Sequence, residues 1–170
     1  MLELPGWLRW VVAPGPIGGR IEAWPPAGRW VGAAVLLAAR LWLAWPFFHS
    51  GMLRIAHWSS QAYLFENVHP LPGLPPILAA VVTTTAELAL PVALALGLLA
   101  RPAALGLAVM AATIYFVIGQ TPQGIENGIA LASEQVPWMI VGLALTLTGG
   151  GPASLDAALF RLPIWQGQRA

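Results

Sequence analysis

Four stretches of almost uninterrupted apolar sequence leave this chain few ways to fold. They run from about Arg29 to Met52, Pro76 to Leu99, Pro102 to Gly119 and Ser133 to Thr148. At about 1.5 Å per residue, each reaches or nearly reaches across a hydrocarbon core of about 30 Å. Backbone polar groups in lipid must be paired within the segment, so helices are expected. Pro75, Pro76 and Pro102 stand at the starts of the second and third stretches, where a helix loses no N–H partner. The expected fold is an all-α integral membrane protein, a four-transmembrane-helix bundle over residues 29–150. Residues 1–28 and 151–170 form flanking segments on one side of the membrane.

Composition supports this reading: of 170 residues, 58% are hydrophobic and 9% charged, whereas soluble domains carry roughly 25% charged residues. The absence of cysteine rules out disulfides, thiolate metal sites and dithiol chemistry within the chain. A net charge of +1 offers no basic patch for nucleic acid. Glu3 and the early prolines Pro5, Pro14 and Pro16 argue against a signal peptide. "LPGWLRWVV" reads as an interfacial segment, and "APGPIGGRIEAWPPAGR" as a loop too rich in proline and glycine for helix. With the amino terminus in the cytoplasm, Arg9, Arg20, Arg29, Arg101, Arg161 and Arg169 all fall on the cytoplasmic side. The outer loops then keep Arg54 as their basic residue beside Glu66, Glu126 and Glu134. The positive-inside rule therefore predicts an N-in, C-in, multi-pass inner-membrane protein. Trp24, Trp30 and Trp165 would mark one interface, and Trp58 and Trp138 the other. In the tail "TGGGPASLDAALFRLPIW", Ser154 and Asp156 are candidate helix caps.

Two charges interrupt the apolar spans. Arg40 lies about ten residues into the first, and Glu87 about thirteen from the cytoplasmic end of the second, so their depths differ by about 5 Å. A lone charge at mid-bilayer costs roughly 2.5 kcal/mol or more. An Arg40–Glu87 ion pair is therefore expected, either as part of a ligand pocket or as a purely architectural register lock. Pro91 lacks the N–H that would engage the carbonyl of Glu87, and Thr83 and Thr84 share the glutamate's helix face. Thr113 and Tyr115 on the third span either line such a pocket or make helix contacts.

Along the first span, Arg40, Phe47, Gly51, Arg54 and Trp58 fall within about 40° of one line on a straight helix. Phe47, Gly51, Arg54 and Trp58 form a candidate entrance at the outer rim, with plain snorkelling as the alternative for Arg54. His49, His57 and His69, with Glu66, fit no trusted metal-ligand spacing, and no metal site is assigned. No phosphate loop, nucleophile elbow or HExxH motif is present, so no catalytic residue is assigned.

Three segments, "ARLWLAWPFFHSGMLRIAHW", "LFENVHPLPGLPP" and "AELALPVALALGLLARPAALGLAVM", together resemble the DoxX family of small four-span membrane proteins. The shared features are an arginine in span one, F-x-x-S-G-x-x-R at its outer end, a glutamate in span two, an L-x-A-R turn and a closing "GGGPASLD". The likeness covers about residues 36 to 156. It departs at "SEQVPW", which keeps Trp138 but has glutamate nearby where relatives often carry histidine. The resemblance implies association with membrane oxidoreductase assemblies, such as small subunits of thiosulfate:quinone oxidoreductase and of redox-stress complexes. Without cysteine, the chain suits anchoring or quinone binding beside a soluble or membrane redox partner better than electron transfer of its own. A small-solute or proton-linked transporter, and a structural or assembly protein, are the alternatives. A homo-oligomer is compatible with each.

Overall fold

A computed structural model describes residues 10–11, 15–131 and 134–160. Among them the chain is helical, without strands. The helices are α1 (Gly18–Glu22), α2 (Pro26–Ala56), α3 (Gln61–Asn67), α4 (Pro76–Leu96), α5 (Ala100–Phe116), α6 (Pro122–Glu126), α7 (Gln135–Thr148) and α8 (Leu155–Phe160). Three of the four expected spans, α2, α4 and α5 with its short 3-10 extension to Gln120, are long and apolar enough to cross a bilayer. The fourth, α7, is apolar but has only 14 residues. Prolines open α2, α4 and α6, as a residue without an N–H does at no cost. Pro46 and Pro91 sit inside α2 and α4, which nevertheless continue past them.

The packing rests on small residues. Ala100, Ala103, Ala104, Leu107, Ala108 and Ala111 are buried along one face of α5, the spacing of a helical stripe. A Cβ on Gly142 would lie 2.8 Å from Ala108 Cβ and 3.0 Å from the Ala104 carbonyl, so α7 rests directly on that stripe. Between α2 and α4, Gly51 meets Leu88 and Glu87 just as closely. Helices in lipid gain by such close packing, since burial of apolar surface drives little there. The core they enclose is built on Leu43, Phe47, Leu94, Leu107 and Leu145.

One end of the bundle is tied together by the α4–α5 turn. Gly97 has φ 68° and Leu99 φ 50°, and the Leu98 and Gly97 amides donate to the carbonyls of Ala93 and Leu94, closing α4. Asp156 then reaches in from α8. Its two carboxylate oxygens accept from the Leu99 and Ala100 amides at 2.8 Å each, and its own amide donates to the Gly97 carbonyl at 2.9 Å. Of the two expected caps in the tail, Ser154 caps α8 itself by accepting from the Ala157 amide at 3.1 Å. Asp156 caps α5, 56 residues away in sequence.

The region expected to be a loop contains α1, whose Ile21 packs over Gly32 of α2. The interfacial reading of the amino terminus, and Trp165, lie outside the described residues apart from Trp10 and Val11. Trp24, Trp30 and Trp58 are exposed, whereas Trp138 is half-buried against Phe47, with ring centroids 5.2 Å apart. Trp138 is a wall of the interior rather than a belt residue.

Candidate functional site

The expected Arg40–Glu87 pair does not form. Arg54 holds Glu87 instead, through Nε to Oε2 at 2.7 Å. Register explains the difference. Gly51 seats α2 against Glu87 and Leu88, which leaves Arg40 beside Gly97, about 15 Å further along α4. Depth counted from Arg29 misplaces Arg40, because α2 begins at Pro26 and its first turns extend beyond the end of α4.

Two buried polar centres result, about 21 Å apart along α2. At the Gly97 end, Arg40 is fully buried and its Nη2 donates to the Ala153 carbonyl at 2.6 Å. Its Nε and Nη1 have no hydrogen-bond partner among the described residues. Arg101 donates to the Thr146 carbonyl and to that of Trp10, at 2.8 Å each, and lies over the Trp10 ring at 4.3 Å. Burial pushes the Asp156 carboxyl above the usual carboxylate range, against the opposing pull of its two amide bonds and of Arg40. This end ties α8 and the α4–α5 turn to α2 and serves as a clasp.

The Arg54 end is hollow. A cavity of about 440 Å³ lies between α2, α4, α5 and α7, beneath α3 and the 118–129 segment. Its walls are mainly apolar, with Phe47 and Trp138 on one side and Val82, Val109 and Ile114 on another. Its polar wall is the Arg54–Glu87 pair, with Ser50 also in the lining. Arg54 is itself held at further points: Nη1 donates to Gln61 Oε1 at 3.1 Å and faces His69 Nε2 at 3.3 Å, and its guanidinium carbon lies 4.9 Å from the Phe65 ring centre. Nη2 has no hydrogen-bond partner among the described residues.

A guanidinium only donates, so His69 Nε2 must accept and its proton sits on Nδ1. Burial, reinforced by the charge of Arg54, lowers the His69 pKa to about 4. The unfolded imidazole, near 6.5, binds its proton first as pH falls. The stability contributed by neutral His69 is therefore complete above about pH 6.5 and is lost progressively toward pH 4. Melting temperature should fall across that window. His69→Asn, which retains an acceptor but does not titrate, should flatten the fall; an unchanged profile would mean that His69 is solvated.

Of the residues singled out from sequence, Phe47, Arg54, Thr83 and Glu87 line the cavity, as does Thr113. Gly51 lies behind it as the α2–α4 contact. Thr84, Tyr115 and Trp58 are not among its lining: Thr84 is buried elsewhere in α4, Tyr115 packs edge-on against Phe116, and Trp58 is exposed. Phe65, His69, Gln135 and Trp138 belong to the site and were not assigned to it from sequence. Among the described residues, no group of His, Asp or Glu is placed to share a metal ion.

The DoxX family model matches residues 35–120, just over half of the chain. The chain belongs to the DoxX family. No curated protein and no solved structure matches it. In this DoxX protein the match takes in Glu87, Arg54 and all their hydrogen-bonding partners named above. Trp138 and Gln135, which close the cavity from α7, lie beyond the matched segment. This DoxX chain is thus a membrane protein of apolar helices with a charge-balanced pocket among them.

Proposed function

We propose that this protein is an accessory, quinone-binding subunit of a membrane-associated oxidoreductase, carrying no redox centre of its own. The cavity beside the Arg54–Glu87 pair is the observation that carries this reading. Its volume falls within the range of about 300–1,000 Å³ usual for small-molecule sites. Arg54 and Glu87 cancel in charge, and His69 is neutral at physiological pH. The polar wall therefore favours an uncharged head group that accepts hydrogen bonds, as a quinone carbonyl does. Phe47 and Trp138 offer ring faces against which a planar head can lie. Arginine distribution favours a cytoplasmic amino terminus, which would put this pocket in the outer half of an inner membrane. A soluble or membrane partner would then deliver electrons to the bound quinone.

Native mass spectrometry of the protein released gently from membranes, followed by titration with a short-tailed quinone, tests the proposal. The expected result is a one-to-one adduct and saturable binding. Arg54→Lys keeps the charge beside Glu87 but loses the planar fork, and should weaken binding about tenfold, the equivalent of one lost charge-assisted hydrogen bond. Absence of both adduct and saturable binding in the folded wild type would reject the proposal.

A further inference from the structure

Four boundaries of the cavity carry close helix contacts or buried side chains. Gly51 against Glu87 and Leu88 closes the α2–α4 seam. The Phe47–Trp138 contact closes the flank between α2 and α7, and Gly142 against Ala104 and Ala108 joins α7 to α5. The roof contains Phe65 and Ile118, only 3% and 7% exposed. The fifth boundary, between α4 and α5, is different. These helices touch where a Cβ on Gly106 would lie 2.7 Å from Leu90 Cδ1, close to their shared turn. Further from that turn, Val82 and Val109 both line the cavity while remaining 51% and 55% exposed. Both belong to helices of spanning length, so the surface on which they open is the one turned to lipid.

We infer that the cavity is filled sideways from the bilayer, through the gap between α4 and α5 flanked by Val82 and Val109. These two valines are specificity-determining residues: they admit lipid-dissolved, uncharged ligands and exclude charged, water-dissolved ones. An ion or sugar would have to shed its hydration in hydrocarbon before reaching the gap, at a cost of several kcal/mol. A molecule already dissolved among acyl chains has no such barrier. The inference deepens the quinone reading and rests on it for the ligand, but the route itself is a property of the helices.

The test has two readouts. In proteoliposomes, Val82→Trp/Val109→Trp should slow association of a short-tailed quinone at least tenfold, with dissociation slowed alongside and affinity changed little. Both side chains are exposed, so the substitutions leave the core intact. Wild type that binds quinone while the tryptophan pair leaves its rates unchanged would overturn the portal. The second readout needs no quinone. Thr113→Cys provides the only thiol in a cysteine-free chain, and bimane attached there reports from the cavity wall. Phospholipids brominated on their acyl chains should quench it, and the tryptophan pair should remove most of that quenching. Quenching with no quinone binding would reject the quinone reading and keep the portal; no quenching would reject the portal whatever binds.

Discussion

Arg54→Leu should lower stability by about 3–5 kcal/mol, the usual cost of breaking a buried ion pair from one side. It strands the Glu87 carboxylate, whose side chain is 3% exposed, and removes the donors facing Gln61 and His69. Arg54→Leu/Glu87→Leu should recover most of the loss, because two well-packed apolar side chains often replace a buried pair at little cost. Melts in detergent micelles measure both. Arg40→Leu provides the decisive contrast. It strands no carboxylate in an ion pair, loses one hydrogen bond to the Ala153 carbonyl and removes two donors that lack partners among the described residues, so its effect should be clearly smaller. If Arg40→Leu proved the more damaging, with Arg54→Leu mild, the helix register described above would be wrong.

Asp156→Ala should be nearly as costly, at about 3 kcal/mol or more, since hydrogen bonds to a charged acceptor contribute about 1.5–3 kcal/mol each and two are lost. The loss falls on one place. Leu99 is held at a positive φ, which costs a branched side chain energy, and the carboxylate satisfies its amide. Hydrogen exchange at the Leu99 and Ala100 amides should accelerate far more than at Ala111, deep in the same helix. Asp156→Asn keeps one acceptor oxygen and should cost about half as much. Uniform acceleration along α5 would instead mean that Asp156 supports the whole bundle rather than its turn.

The parts legible in the sequence are those set by local pattern. Apolar runs located the spanning helices to within a few residues, because hydropathy acts on each segment separately. Glu87 was readable as a functional or architectural group because a carboxylate in an apolar run demands a partner wherever it lies. Choosing the partner required the register between two helices, and a few residues' error in where a span begins moves a side chain by several ångströms. A clue was present: Gly51 and Arg54 share a helix face, and the glycine is what brings that face onto α4. The roof was not readable. Phe65 and His69 reach Arg54 because α3 and the loop after it fold back over the helix ends, a placement that local pattern does not set. His69, unpromising as a metal ligand, serves as a neutral acceptor for the arginine. Asp156 followed the same rule: a capping residue was recognisable by type, while the helix it caps depends on where the tail lands.

The shortness of α7 has a consequence for the surrounding membrane. Its 14 residues cover about 21 Å, against about 30 Å for a hydrocarbon core. Neighbouring α2, with 31 residues, covers about 46 Å. A helix as short as α7 falls short of the hydrocarbon thickness, and one as long as α2 exceeds it. Mismatch costs fractions of a kcal/mol per Å, and it is relieved when the bilayer thins beside α7 and α2 tilts. The protein should accordingly concentrate in thin, fluid patches of membrane and lose stability as the acyl chains of its host bilayer are lengthened.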